Sequence, residues 1–386
     1  MKQMIEKISI LSLSLMLVST FAISPALPQM ITYFGRQGYT TSQVEWLITI
    51  PSLFIMISLL ANSIFIRFLS ERALIILGLT LMALGGAMPF LLPHYYLVFL
   101  SRSLLGLGIG LINARAINIV GLFYQGKERI QMMGLRGSFE VLGSAGLTIL
   151  VGWLTGFGWQ AAFLAYFVAL AILFLFVTFV PKYDGVVGEA STKRAPLTKE
   201  LLKMSLSLAF LAFFVINVNT FITIRIPLIV INSQLGTAVQ ASWILGSMQL
   251  MGILSGTLFG VLVTSLKDWL LSVSYVVFGL SILMIALSSN LLLLALGAML
   301  SGFSYNVVLN LVFSRAAEQT PPALLTLIMT LILMGCNIGG ATASILPRLL
   351  ENLYPSSTGP FALYAFGCVL ISLTLILQQI LRKKST

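Results

Sequence analysis

Apolar positions in this chain come in long continuous runs, not in alternation. The stretch Leu97–Leu122 is broken only by scattered polar residues, and comparable runs recur from end to end. Runs of about twenty apolar residues match the length of a membrane-spanning helix, whereas barrel strands are shorter and alternate. Lipid offers an open backbone no hydrogen bonds, so such a run must be helical to cross. The pattern predicts spans at 8–33, 43–65, 73–92, 96–122, 132–155, 160–180, 204–231, 240–264, 269–288, 291–313, 322–347 and 359–381. Pro25 and Pro28 predict a kink in the first, because each removes a backbone donor. Met1–Lys7 is short and charged, and the run from Ile8 is long enough to span, so this segment reads as a span rather than a removed leader.

The connections set the orientation. With the N-terminus inside, sixteen loop Lys and Arg residues fall on the cytoplasmic side and only Arg36 and Arg348 outside. Both termini are therefore expected in the cytoplasm, in a multi-pass plasma-membrane protein. Residues 182–203 contain Gly185, Gly188, Pro196 and five basic residues and read as a cytoplasmic linker. It separates a six-span unit at 1–181 from another at 204–386. The halves repeat: Gly110, Asn118 and Gly143 recur as Gly302, Asn310 and Gly335, each 192 residues on. Pro28 and Trp46 recur as Pro227 and Trp243, 199 and 197 residues on. The expected fold class is all-α, with twelve transmembrane helices in two pseudo-symmetric bundles, an internal duplication typical of transporters.

Composition removes the alternatives. The chain is 58% hydrophobic and 9% charged, with a mean hydropathy of +1.03, far from a soluble domain. A net charge of +11 would suggest nucleic acid in a soluble protein. Here the basic residues lie in membrane loops, so the implied partner is the bilayer and not nucleic acid. Cys336 and Cys368 sit in apolar runs and read as packing residues. One histidine (His94), no metal-ligand spacing and no nucleotide loop leave no cofactor, no metal and no enzyme to expect.

Charges inside the spans carry the candidate chemistry, since each costs roughly 2.5–3.5 kcal/mol on insertion scales. Arg102 and Arg115 lie in the fourth span, Glu140 and the shallower Arg136 in the fifth, and Arg225 in the seventh. Arg115 and Glu140 are expected at comparable depth on a hairpin, with Arg136 as the rival partner at i−4. Glu140 is then either one half of a structural ion pair or a protonatable carboxyl coupled to transport. Glu45 is expected near the outer surface, solvated. Uncharged polar residues, notably Ser24, Asn113, Asn217, Asn219, Gln249, Tyr305, Asn306 and Asn337, are candidates for a wet substrate cavity or for interhelical hydrogen bonds.

Several motifs carry a family resemblance. "FLSRSLLGLGIG" (Phe99–Gly110), "GWQAAFLAYF" before Pro181, and "ISPALPQM" in the first span are similar to segments of the drug/proton antiporters of the major facilitator superfamily. The likeness spans the whole chain. That family has an acid and basic residues in the loop after its second helix. "NSIFIRFLSER" keeps Arg67 and Arg72 as the conformational loop motif but has Ile66 where the acid belongs. In the fifth span the antiporter Gly-Pro pair is replaced by Gly143 and Ser144. The resemblance implies alternating access, and implicates Arg102 in proton coupling or in hydrogen bonding across the cavity.

The resulting expectation is a monomeric secondary transporter of a small organic molecule, coupled to protons, with export favoured. Proton-coupled uptake of a small organic anion is the alternative within transport. A non-transporting membrane receptor is the alternative outside it.

Overall fold

The computed structural model describes residues 2–181, 198–353 and 358–385. Among these residues there are helices and turns but no strand. The chain divides into two compact units, Met1–Ala190 with Thr237–Gly246, and Ser191–Gly236 with Ser247–Thr386.

The first unit contains α1 (Lys2–Ser12), α2 (Leu27–Gly35), α3 (Thr41–Leu60), α4 (Asn62–Phe68), α5 (Glu71–Ala87), α6 (Tyr95–Phe123), α7 (Gly126–Leu154) and α8 (Val168–Phe179). Local chemistry starts these helices. Thr40 and Gln43 form a reciprocal capping box on α3, with N–H to oxygen distances of 3.3 and 2.8 Å. Ser70 accepts the Ala73 N–H at 3.2 Å and opens α5. Glycines then let α6 lie backbone to backbone on two neighbours. A methyl at Gly106 would strike Pro51 of α3, and one at Gly108 would strike the Gly78 carbonyl of α5.

The first predicted span is not one helix. Between α1 and α2 the chain runs through turns from Leu13 and 3₁₀ segments at Ser19–Phe21 and Ser24–Ala26. The prolines account for its second half. Pro25 cannot donate to the Phe21 carbonyl, and the Ser24 hydroxyl takes that acceptor instead at 2.7 Å. The departure nevertheless begins well before Pro25, and its cause is lateral.

The second unit contains α9 (Lys199–Asn232), most of α10 (Ala238–Leu266), α11 (Leu270–Ala286), α12 (Leu291–Gln319), α13 (Pro322–Thr342), α14 (Leu346–Leu353) and α15 (Gly359–Ser385). α9 runs 34 residues without interruption despite Pro227. The capping box returns at the head of α10, where Thr237 and Gln240 exchange bonds of 2.8 and 3.3 Å. Both positions lie 197 residues beyond Thr40 and Gln43, the same offset as the paired tryptophans.

Ten helical stretches among the described residues are long and apolar enough to cross a membrane. The twelve predicted spans differ from these ten at two places. The broken first segment does not qualify. The stretch Ala238–Ala286 counts once, although α10 and α11 are separated by a 3₁₀ turn and by Lys267 at φ +47°. Of the predicted linker, 182–197 lies outside the described residues, and Lys199–Lys203 already belongs to α9.

Candidate transport site

The intramembrane charges of the first unit fall into two kinds. Arg102 and Arg115 are fully buried, whereas the Arg136 and Glu140 side chains keep 16% and 28% of their accessibility. Arg102 is enclosed by oxygen atoms. Its Nε donates to the Leu47 carbonyl at 3.0 Å, Nη1 to the Tyr166 hydroxyl at 2.8 Å, and Nη2 to the carbonyl of Thr20. Tyr166 in turn donates to the Ser19 carbonyl at 3.0 Å. Ser144, standing where the antiporter motif has proline, donates to the Val18 carbonyl at 3.2 Å. Three consecutive carbonyls of the broken segment, at 18, 19 and 20, thus accept from donors on α7, on the 3₁₀ turn before α8, and on α6. These donors supplement the 3₁₀ bonding of the segment, in which the Ser19 carbonyl also accepts the Ala22 N–H at 3.1 Å. Sequence reasoning singled out Arg102 but missed Tyr166 and gave Ser144 no role.

Arg115 and Glu140 are not at the same depth. Arg115 is 8 residues before the end of α6 at Phe123, and Glu140 is 14 residues after the start of α7 at Gly126. At 1.5 Å per residue these are about 12 and about 21 Å from the hairpin turn. The expectation fails because α7 begins six residues before the apolar run does, taking in Lys127, Glu128 and Arg129. Arg115 Nη1 donates to the Leu111 carbonyl at 2.8 Å. Glu140 pairs with Arg136, Oε2 to Nη2 at 3.1 Å, and stands at the midpoint of the 29-residue α7.

Two other carboxyls were misjudged or overlooked. Glu45 is buried, not solvated, because it shares the inward face of α3 with Val44 and Ile48. Glu71, in the first turn of α5, is buried and accepts from Asn118 Nδ2 at 3.2 Å. A carboxylate at a helix N-terminus is favourably placed. The Ser-Glu pair at the start of the third apolar run was the available signal. Next to it, Arg72 donates to the carbonyls of Val177, Val180 and Pro181 at 3.0, 2.8 and 3.0 Å and lies over the Phe176 ring. It therefore closes the C-terminus of α8. Arg67 is exposed.

The uncharged cavity candidates also separate. Ser24 and Asn217 are fully buried, so neither lines a cavity in this conformation. Asn217 joins three helices: Nδ2 donates to the Gly339 carbonyl at 2.9 Å and to Thr342 Oγ1 at 3.0 Å, while Oδ1 accepts from Tyr364 at 2.5 Å. Asn306 and Asn337 turn back on their own helices, donating to the Gly302 and Leu333 carbonyls at 2.7 and 2.8 Å. Asn113, Asn219, Gln249 and Tyr305 are half-buried. Arg225, also half-buried, lies 5.4 Å from the centre of the Phe221 ring.

Outside the spans, Lys7 of α1 meets Glu128 of α7 at 2.5 Å. Nearby Tyr124 has its phenol pushed up to about 12, first by burial and then by Glu6 and Glu128. It stays neutral at physiological pH.

Comparison with known proteins supports the architecture. No curated protein matches the chain. Two solved structures, a POT family transporter in complex with 5-aminolevulinic acid and one in complex with a thioalcohol-conjugated peptide, superpose with TM-scores of 0.76. Each shares 14% identity and covers 97% of this chain and 96% of its own, a likeness of fold. The Major Facilitator Superfamily profile matches residues 9–229, more than half of the 386. On that match the chain, a multi-pass α-helical membrane transporter, belongs to the Major Facilitator Superfamily.

Proposed function

We propose that this transporter is driven by a proton gradient, that Glu140 is its proton-binding carboxyl, and that it exports a small organic molecule. The observation that carries the reading is the contrast among its carboxyls. Glu45 and Glu71 are enclosed, whereas Glu140 is both reachable and ion-paired at the middle of a spanning helix. Transporter sites lie near the membrane midplane. Protonating Glu140 would cancel one charge of the pair and release Arg136, so each proton bound or lost would change the contacts of α7. Alternating access would then deliver the proton and the cargo to opposite sides. The topology that goes with this reading has both termini in the cytoplasm, a plasma-membrane location and a single chain as the working unit.

Arg225, half-buried in α9 against Phe221, favours a second reading, in which the proton drives uptake of an organic anion. Proteoliposomes with imposed gradients test both. Export predicts cargo movement against an inward proton flux, and uptake predicts movement with it. In either case Glu140→Gln abolishes the response to the gradient. Flux that ignores the pH gradient, with Glu140→Gln as active as the parent, refutes proton coupling through this residue.

A further inference from the structure

We propose that the Arg136–Glu140 pair is a binding site for small zwitterions, molecules that carry an ammonium and a carboxylate a few bonds apart. This assigns a substrate class to the site proposed above and rests on Glu140 being reachable from that site.

The geometry of the pair is incomplete. One contact joins it, Nη2 to Oε2 at 3.1 Å. A guanidinium has five N–H donors and a carboxylate two acceptor oxygens, so most of the capacity of both groups is unused by this bond. Arg136 Nε is buried and has no hydrogen-bond partner. The other two basic residues of the unit's spans are committed differently: Arg102 lies inside its cage of oxygens, and Arg115 is fully buried on α6. Among the described residues of the apolar run of α7, Arg136 and Glu140 are the opposite charges, and both keep part of their accessibility.

Charge balance then selects the ligand. A purely cationic solute on Glu140 would draw the carboxylate from Arg136 and leave a guanidinium uncompensated at membrane depth. An anionic solute on Arg136 would strand Glu140 in the same way. Removing one partner of a buried pair is unfavourable, because the remaining charge has lost water and gained nothing. A zwitterion avoids both outcomes. Its ammonium sits on the free carboxylate oxygen and its carboxylate on the remaining terminal guanidinium donors. Four alternating charges close a ring with no net charge. The i,i+4 spacing holds the two protein charges close together, as the two charges of an α-amino acid are. Discrimination against singly charged relatives is thus built in as a penalty on the wrong ligand.

The test is binding to the purified full chain in lipid nanodiscs at one fixed pH with no gradient. The probes are the common α-amino acids, the amide of each (cation only) and the N-acetyl form of each (anion only). Calorimetry and thermal shift are the readouts. At least one amino acid is expected to bind, and to bind about tenfold or more tighter than its amide or N-acetyl form. Arg136→Gln should reverse the preference toward the amide, and Glu140→Gln toward the N-acetyl form. The double variant R136Q/E140Q strands no charge, serves as the folding control, and should lose the discrimination. The proposal is overturned if no amino acid binds, if singly charged forms bind as tightly, or if the single variants keep the parental preference. Because no gradient is present, these outcomes are independent of proton coupling. Conversely, zwitterion flux indifferent to pH would refute the coupling and leave the binding assignment standing.

Discussion

The first and seventh membrane segments hold corresponding places in the repeat, and they solve the same packing problem in opposite ways. α9 is one helix of 34 residues, while the segment from Lys2 to Gly35 is two short helices with turns between them. Each crosses a glycine of its neighbour. Gly143 of α7 lies against the Leu15 backbone, and Gly335 of α13 lies against the Ala209 backbone. The second unit adds Gly339 against Phe213, one turn further along both helices, where the first unit has Leu147 (339 less 192). A straight helix can follow a two-glycine strip; a broken one needs a single point of approach. A tyrosine recurs as well. Tyr166 and Tyr364 are 198 residues apart, and so are their partners Ser19 and Asn217. Tyr166 bonds to a backbone carbonyl of the broken segment and Tyr364 to the side-chain amide of Asn217. The part of the difference that precedes Pro25 is thus set by the donors around the first segment, and the rest by its own prolines.

The largest effect is expected when the first unit is given the residue of the second. The position 192 beyond Arg102 is Leu294, a buried apolar side chain. Arg102→Leu should leave the Thr20 and Leu47 carbonyls and the Tyr166 hydroxyl without a donor. Stranding several buried polar groups is expected to cost about 3–4 kcal/mol, read as a fall in thermal stability in detergent. A variant as stable as the parent would show that the cage around Arg102 does not hold the break.

Next in size is the glycine crossing, where the two units should behave alike. Gly143→Ala and Gly335→Ala each put a methyl into a backbone carbonyl, of Leu15 and Ala209 respectively. Overpacking of that kind should cost each about 2–3 kcal/mol. A large effect in one unit and none in the other would mean that the repeat is one of sequence and not of packing.

Much of this was legible before the structure. The helical runs, the intramembrane charges and the paired glycines all followed from the order of residues. The break did not. Leu13–Thr20 reads "LSLMLVST", which is indistinguishable from other helical runs, and its proline signal begins only at Pro25. The donors that hold it come from Arg102, Ser144 and Tyr166, between 82 and 147 residues away in the chain. Tertiary contacts overrode local preference. Glu45 was misread, and Glu71 overlooked, for a related reason, since burial depends on which face of a helix turns inward. The tyrosine repeat was readable in principle, because Phe163 and Tyr166 recur as Phe361 and Tyr364 at an offset of 198.

A more moderate effect sharpens the tyrosine correspondence. Tyr166→Phe leaves Ser19 still bonded to the Ala22 N–H at 3.1 Å but deprives Arg102 Nη1 of its acceptor. Tyr364→Phe instead deprives Asn217 Oδ1 of its donor. One buried group loses a partner in each case, so both should cost about 1–2 kcal/mol in the same stability assay. A cost confined to Tyr364→Phe would assign the Tyr166 hydroxyl no part in holding Arg102.

The smallest change is at Ser144, whose counterpart 192 residues on is Cys336. The two sit beside the paired glycines, so packing at both positions is set by the same kind of helix crossing. They differ in what lies opposite: the Val18 carbonyl accepts from Ser144 at 3.2 Å, whereas α9 is a continuous helix, most of whose carbonyls accept from its own N–H groups. Ser144→Cys keeps the volume nearly constant and replaces a good donor by a weak one, so the loss should be about 1 kcal/mol. The reverse change, Cys336→Ser, puts a hydroxyl where the neighbouring helix needs none. Such a hydroxyl can bond back to a carbonyl of its own helix, so this variant should be close to neutral. Thermal unfolding of the two variants side by side gives the asymmetry directly. Equal effects would show that Ser144 serves packing alone and that the Val18 carbonyl does not depend on it.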